Sequence, residues 1–194
     1  MTHEISLEEV DRSVRALAAG EAIIIPTDTV YGLAADPRSE AAMAQLFALK
    51  QRPEGVPVAV LVATIEQARE LIQWSDEIED LTRRHWPGAL TIVGTVRDHS
   101  LCAGTGDTLG VRLPDHGFMQ ACSSRFGPIA ATSANRHGQP TITNPADLTE
   151  SFGSDVSVVI DGGVLDGAAS TVVDVTDSRP KILRQGVVLV ESAD

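Results

Sequence analysis

Four cations, Lys50, Arg52, Arg112 and Arg184, and a scatter of small polar side chains are the groups of this 194-residue chain best suited to holding anions. They fall in short polar segments: PTDTVYGL (26–33), KQRP (50–53), TLGVRLP (108–114), TSAN (132–135), AST (169–171) and ILRQG (182–186). Ammonium and guanidinium groups bind phosphates and carboxylates, and arginine clamps a carboxylate through two parallel bonds. Thr27, Thr108, Ser133, Asn135, Thr141 and Ser170 add neutral hydrogen bonds. Transfer at a phosphoryl centre needs charge stabilisation and positioning more than a covalent nucleophile. Apolar strands running into such segments are what a nucleotide pocket looks like in an α/β sheet.

Each group also has a plainer role open to it. Lys50 and Arg52 near a helix end oppose its macrodipole, Thr27 and Thr29 suit turns, and Ser133 and Asn135 suit a helix cap. Arg112 is harder to dismiss, because an arginine inside an apolar strand needs a partner.

The elements that must position these groups are legible from caps and periodicity. Ser6 followed by Glu9 reads as a capping box, Val10, Val14 and Leu17 continue at helical spacing, and Gly20 suits the stop. Residues 22–25 read as a buried strand and 26–39 as a loop, with Ser39 capping a helix to about Lys50. Residues 57–63 read as a buried strand; Thr64 with Gln67 opens one helix, and Ser75 another that ends near His85. Further strands are expected at 89–96, 108–113, 128–132, 156–160, 170–175 and 181–184, and Asn144-Pro145 reads as a helix start. The fold class is therefore α/β (α+β): one domain over 1–194, core about 6–190, with helices on the faces of a twisted mixed sheet.

Bulk properties exclude several functions. A formal charge of −12 argues against a nucleic-acid coat, while leaving room for a local basic pocket. Cys102 and Cys122 fit a reducing compartment better than a disulfide framework. The polar start lacks an apolar core for a secretory signal, and no apolar run reaches the roughly 20 residues that span a bilayer; a cytoplasmic protein is expected. The five histidines show no metal-ligand spacing, so no metal site built from protein side chains is predicted. Gly104 to Gly110 is out of register for a dinucleotide loop, and the phosphate-loop and serine-elbow patterns are absent.

The order PTDTVYGL, Lys50-Gln51-Arg52, WPGALT, GVRLP, Ser133-Ala134-Asn135, DGG, Ser170-Thr171 and LRQG resembles the YrdC-like threonylcarbamoyl-AMP synthases, in their short form, over about residues 6–190. The resemblance implies an ATP-using nucleotidyltransferase that makes threonylcarbamoyl-AMP and pyrophosphate from L-threonine, bicarbonate and ATP. That product serves the threonylcarbamoyl modification of tRNA adenosine. It implies that Lys50, Arg52, Thr108, Ser133, Asn135, Thr141 and Arg184 bind ATP, with Lys50 and Arg52 catalytic, and that Thr27, Arg112, Ala131 and Ser170 hold threonine. Mg2+ is expected to arrive with ATP, and a tRNA threonylcarbamoyl transferase to receive the product. Where many members carry histidine in the strand after K-x-R, this chain has Leu61. Two other readings stand beside this one: an RNA-binding module without chemistry, touching tRNA or double-stranded RNA weakly, and a carbamoyl-adenylate enzyme like related domains of hydrogenase-maturation proteins. The acidic balance opposes the first; the second is found in longer chains with segments not seen here.

Overall fold

The computed structural model describes residues 6–52, 56–104, 106–177 and 179–190; Pro53 of the KQRP segment lies outside them. Within the described residues nine strands form one mixed sheet: β1 (Ile23–Ile25), β2 (Gly32–Ala35), β3 (Ala59–Leu61), β4 (Leu90–Thr95), β5 (Thr108–Arg112), β6 (Ile129–Ser133), β7 (Val158–Val159), β8 (Thr171–Asp174) and β9 (Lys181–Arg184). Their spatial order is β7-β1-β2-β6-β3-β5-β4-β8-β9. Among the described residues six α-helices accompany it: α1 (Leu7–Ala18), α2 (Glu40–Lys50), α3 (Ile65–Leu71), α4 (Asp76–His85), α5 (Gly117–Phe126) and α6 (Pro145–Phe152).

The helix starts read from sequence form as expected. The side chains of Ser6, Ser39, Thr64 and Ser75 each accept the backbone N–H three residues on, and Asn144 accepts from Ala146 with proline at the first helical position. Two elements were not legible. The stretch read as one loop over 26–39 contains β2, whose Gly-Leu-Ala-Ala has little strand propensity. Pairing with β1 and β6 on either side holds it in the sheet. Helix α5 starts without a side-chain cap, so its beginning is not announced, although Phe118, Met119 and Cys122 keep helical spacing and Gly127 marks its end. The expected strands at 57–63 and 156–160 shorten to β3 and β7.

Alternation along the strands separates two faces. Ile24, Leu33, Val60, Leu109, Val111, Leu90, Ile92 and Val173 pack with Leu46 of α2, Leu71 of α3, Ile78 of α4 and Phe152 of α6 in one continuous core. On the other face Ile23, Ile25, Ala34, Leu61 and Ile129 pack with Val10 and Leu17 of α1 and Met119 and Cys122 of α5. That second cluster draws on β1, β2, β3, β6 and β7, and β4, β5 and β8 contribute nothing to it. Their residues on this face line a cavity instead. Burial pushes the Cys122 thiol up to about 12, so it is an inert core group at neutral pH.

Candidate active site

The cavity has a volume of about 350 Å3, within the range of small-molecule sites. Its floor is the uncovered sheet face, and β strands of opposite sense bring Arg112 on β5, Thr91 on β4 and Ser170 before β8 together at one end. Thr108, Gly110, Val93 and Asp174 lie towards the other end.

Arg112 is buried and fully posed. Its Nε donates to the Gly88 carbonyl (3.0 Å), one terminal nitrogen to Thr29 Oγ1 (3.0 Å) and the other to Asp28 Oδ1 (2.5 Å). A guanidinium has five N–H donors; with three committed, two remain, the number a bidentate carboxylate takes. The partner that a strand-borne arginine requires is thus Asp28, in the same PTDT turn as Thr29. Thr27 builds that turn: its hydroxyl donates to the Val30 carbonyl (2.6 Å) and accepts from the N–H groups of Thr29 and Val30. Tyr31, fully buried, fastens the turn to the DGG segment, its hydroxyl donating to the Gly163 carbonyl and accepting from Gly162 N–H.

Ser170 is the second anchor. Its hydroxyl lies 2.9 Å from Thr91 Oγ1, while Arg184 donates to its carbonyl from Nε and to its hydroxyl from a terminal nitrogen, both at 3.1 Å. Gly186 of the LRQG segment makes this possible, because a Cβ there would collide with the Ala169 carbonyl and Ser170 backbone.

The K-x-R pair divides in two. Gln51 ends α2 in the left-handed conformation, φ 53°, so its neighbours leave the chain in different directions. Arg52 lines the cavity, bonded to Thr132 Oγ1 (3.4 Å) and the Pro57 carbonyl (3.3 Å), its Nε buried with no partner among the described residues. Lys50 is 3 % exposed and does not line the cavity. Its ammonium donates to the Ser133 carbonyl, to Ser133 Oγ (3.0 Å) and to Asn135 Oδ1 (2.5 Å). Asn135 also stays behind the wall, donating to the Gln139 and Arg136 carbonyls. Lys50 and Asn135 therefore shape the position of Ser133, whereas Arg52, Thr108, Ser133, Thr141, Arg184, Thr27, Arg112, Ala131 and Ser170 reach the cavity. The buried ammonium also rules out Lys50 as part of an exposed RNA-binding lip.

The cavity carries a strong positive field. Burial, then the charge of Arg184, pulls Arg52 below the usual arginine range; burial, then Arg112, does the same to Arg184. Burial, then Arg52, lowers Lys50 to about 8. Asp174 is the sole carboxylate among the cavity's lining residues. No group of three or more His, Cys, Asp or Glu residues suited to a metal occurs among the described residues. None of their helices is long and apolar enough to cross a membrane.

Thr91 in WPGALT, Asp28 and Tyr31 in PTDTVYGL, and Asp174 are site residues whose roles the sequence alone does not assign. Neither 90–93 (Leu-Thr-Ile-Val) nor 171–174 (Thr-Val-Val-Asp) alternates in polarity, so the cavity face of β4 and β8 carries no period-2 signal in the sequence. Leu61, at the position where histidine was noted as common, lines the cavity beside Arg112, its register partner.

Comparison with known proteins places these features in company. The family model Sua5/YciO/YrdC, described as "Telomere recombination", matches residues 15–186. A relative from Mycobacterium leprae (strain TN) is 39% identical, covering 92% of this chain and 83% of its own length. The threonylcarbamoyl-AMP synthase of Vibrio vulnificus (strain YJ016) is 31% identical over 93% of this chain and 100% of its own. The crystal structure of Pyrococcus abyssi Sua5 complexed with L-threonine superposes with a TM-score of 0.89 at 34% identity, covering 95% of this chain and 56% of that one.

Proposed function

The chain belongs to the Sua5/YciO/YrdC family, and from that premise we propose that it is an L-threonylcarbamoyladenylate synthase, a nucleotidyltransferase that joins L-threonine, bicarbonate and ATP. The observation that carries the reading is Arg112, held on three sides with two donors to spare at one end of a cavity that Arg52 and Arg184 also enter.

Threonine's carboxylate takes the two remaining Arg112 donors, beside the Thr91–Ser170 hydroxyl pair. Its neutral amine adds to CO2 derived from bicarbonate, forming a carbamate and releasing a proton. A carbamate oxygen then attacks the α-phosphorus of ATP, the bond to the β-phosphate oxygen breaks, and pyrophosphate leaves. Arg52 and Arg184 offset the charge that develops on the phosphoryl oxygens, with no reorganisation required at that moment. Ser133, pinned from behind by Lys50 and Asn135, offers its hydroxyl at a fixed place. Mg2+ arriving with ATP would supply charge neutralisation on the leaving group, coordinated chiefly by the phosphates. The labile mixed anhydride then passes to a tRNA threonylcarbamoyl transferase.

Mass spectrometry of a reaction containing purified chain, L-threonine, bicarbonate, Mg2+ and ATP tests this. The expected product is threonylcarbamoyl-AMP; AMP with pyrophosphate but no such adduct would refute the assignment.

A further inference from the structure

A carboxylate on the wall of a cavity built for anions needs a reason. Asp174 ends β8, and its Oδ1 accepts from the backbone N–H (2.9 Å) and the hydroxyl (2.6 Å) of Thr176. These bonds fix the side chain and leave Oδ2 with no hydrogen-bond partner among the described residues. It forms no salt bridge within them either, although three arginines line the same cavity. The register explains why. Asp174 on β8 is the register partner of Val93 on β4, which faces Gly110 on β5, and Ala59 and Ala131 continue that row. The Arg184 guanidinium is tied to Ser170, four residues back along β8, on the order of 13 Å at the usual strand rise. Arg52 bonds Thr132 on β6, four strands away and roughly 19 Å distant at the usual strand spacing.

Asp174 thus marks a corner of the cavity that repels phosphate and accepts from a hydrogen-bond donor. The row of Val93, Gly110 and Ala59 offers a flat apolar bed for a base, and the half-buried Asp174 stands at its rim, where the polar sugar belongs. We propose that the Asp174 carboxylate accepts a hydrogen bond from a ribose hydroxyl of the bound nucleotide and so selects the ribonucleotide over its deoxy forms. Carboxylates read ribose hydroxyls this way at dinucleotide sites. The inference rests on the reading of the cavity as an ATP site.

Calorimetric dissociation constants of ATP, 2′-deoxy-ATP and 3′-deoxy-ATP for the intact chain test it, and need no turnover. Wild type should bind ATP about 10-fold more tightly than at least one deoxy form, the scale of a charged hydrogen bond. Asp174→Asn keeps an oxygen for Thr176 and loses the charge; it should bind ATP about 10-fold more weakly and no longer discriminate. An Asp174→Asn chain whose ATP constant stays within twofold, or which still discriminates, overturns the proposal and leaves Asp174 a turn-former. Equal wild-type binding of all three nucleotides overturns it without recourse to any variant. A wild type that binds none of them overturns the ATP reading itself, a distinct result.

Discussion

Arg112 and Asp28 form an ion pair of 2.5 Å between side chains only 7% and 13% exposed, joining β5 to the turn after β1. The pair orients the guanidinium proposed to take threonine's carboxylate. Arg112→Ala should therefore raise the KM for threonine far more than that for ATP, by the equivalent of about 2–5 kcal/mol. Steady-state kinetics with each substrate varied in turn checks this. An unchanged threonine KM would make the arginine purely structural.

Asp28→Ala leaves the same guanidinium buried without its counter-charge. Losing one partner of a buried pair costs about 3–5 kcal/mol, which for a chain of this size lowers the melting temperature by about 10 °C. Thermal melts should show that loss beside weaker threonine use; a melt within 2 °C of wild type, by contrast with about 10 °C expected, would mean that water replaces Asp28 freely.

Lys50 sets a pH dependence. Its ammonium holds Ser133 and Asn135 in place, and burial, then Arg52, lowers its pKa to about 8. RNA-free turnover should fall as pH rises through about 8, and Lys50→Ala should lose about 2–4 kcal/mol of barrier reduction at neutral pH. Stability runs the other way. The unfolded lysine keeps its proton up to its ordinary 10.5, so between about 8 and 10.5 the unfolded chain binds more protons and this group favours the fold increasingly. Melts across that range distinguish lost chemistry from unfolding. A rate profile flat from pH 7 to about 10, past the pKa of about 8, contradicts the assignment.

Gln51 explains why the pair is spaced K-x-R. Its left-handed backbone sends Lys50 under Ser133 and Arg52 into the cavity. Gln51→Gly should fold at least as well as wild type, while the β-branched Gln51→Val should cost about 1–2 kcal/mol and weaken ATP use through Arg52. Equal behaviour of the two variants would show that the turn is not strained.

Most of the fold was legible where local chemistry announces itself, as at the serine and threonine caps of α1 to α4 and the apolar strands β4 to β6. What escaped was set by tertiary pairing. The Gly-Leu-Ala-Ala of β2 is a strand only because β1 and β6 flank it, and α5 starts without a side-chain cap. In the site, residue types and order identified the groups, and register decided their duties. Nothing in the spacing of Lys50 and Arg52 says that one is buried behind the wall and the other lines it. Likewise Asp28 has no role legible in the 26–39 segment, and becomes a partner only because β5 lies beside it.

The central claim is that one cavity joins three substrates. Pyrophosphate release is the most direct measure of it, followed with ATP and Mg2+ present and threonine and bicarbonate added separately and together. Release should require both, and stay at background when either is left out. Equal release with threonine or bicarbonate omitted would contradict the account and identify a simple ATP pyrophosphohydrolase.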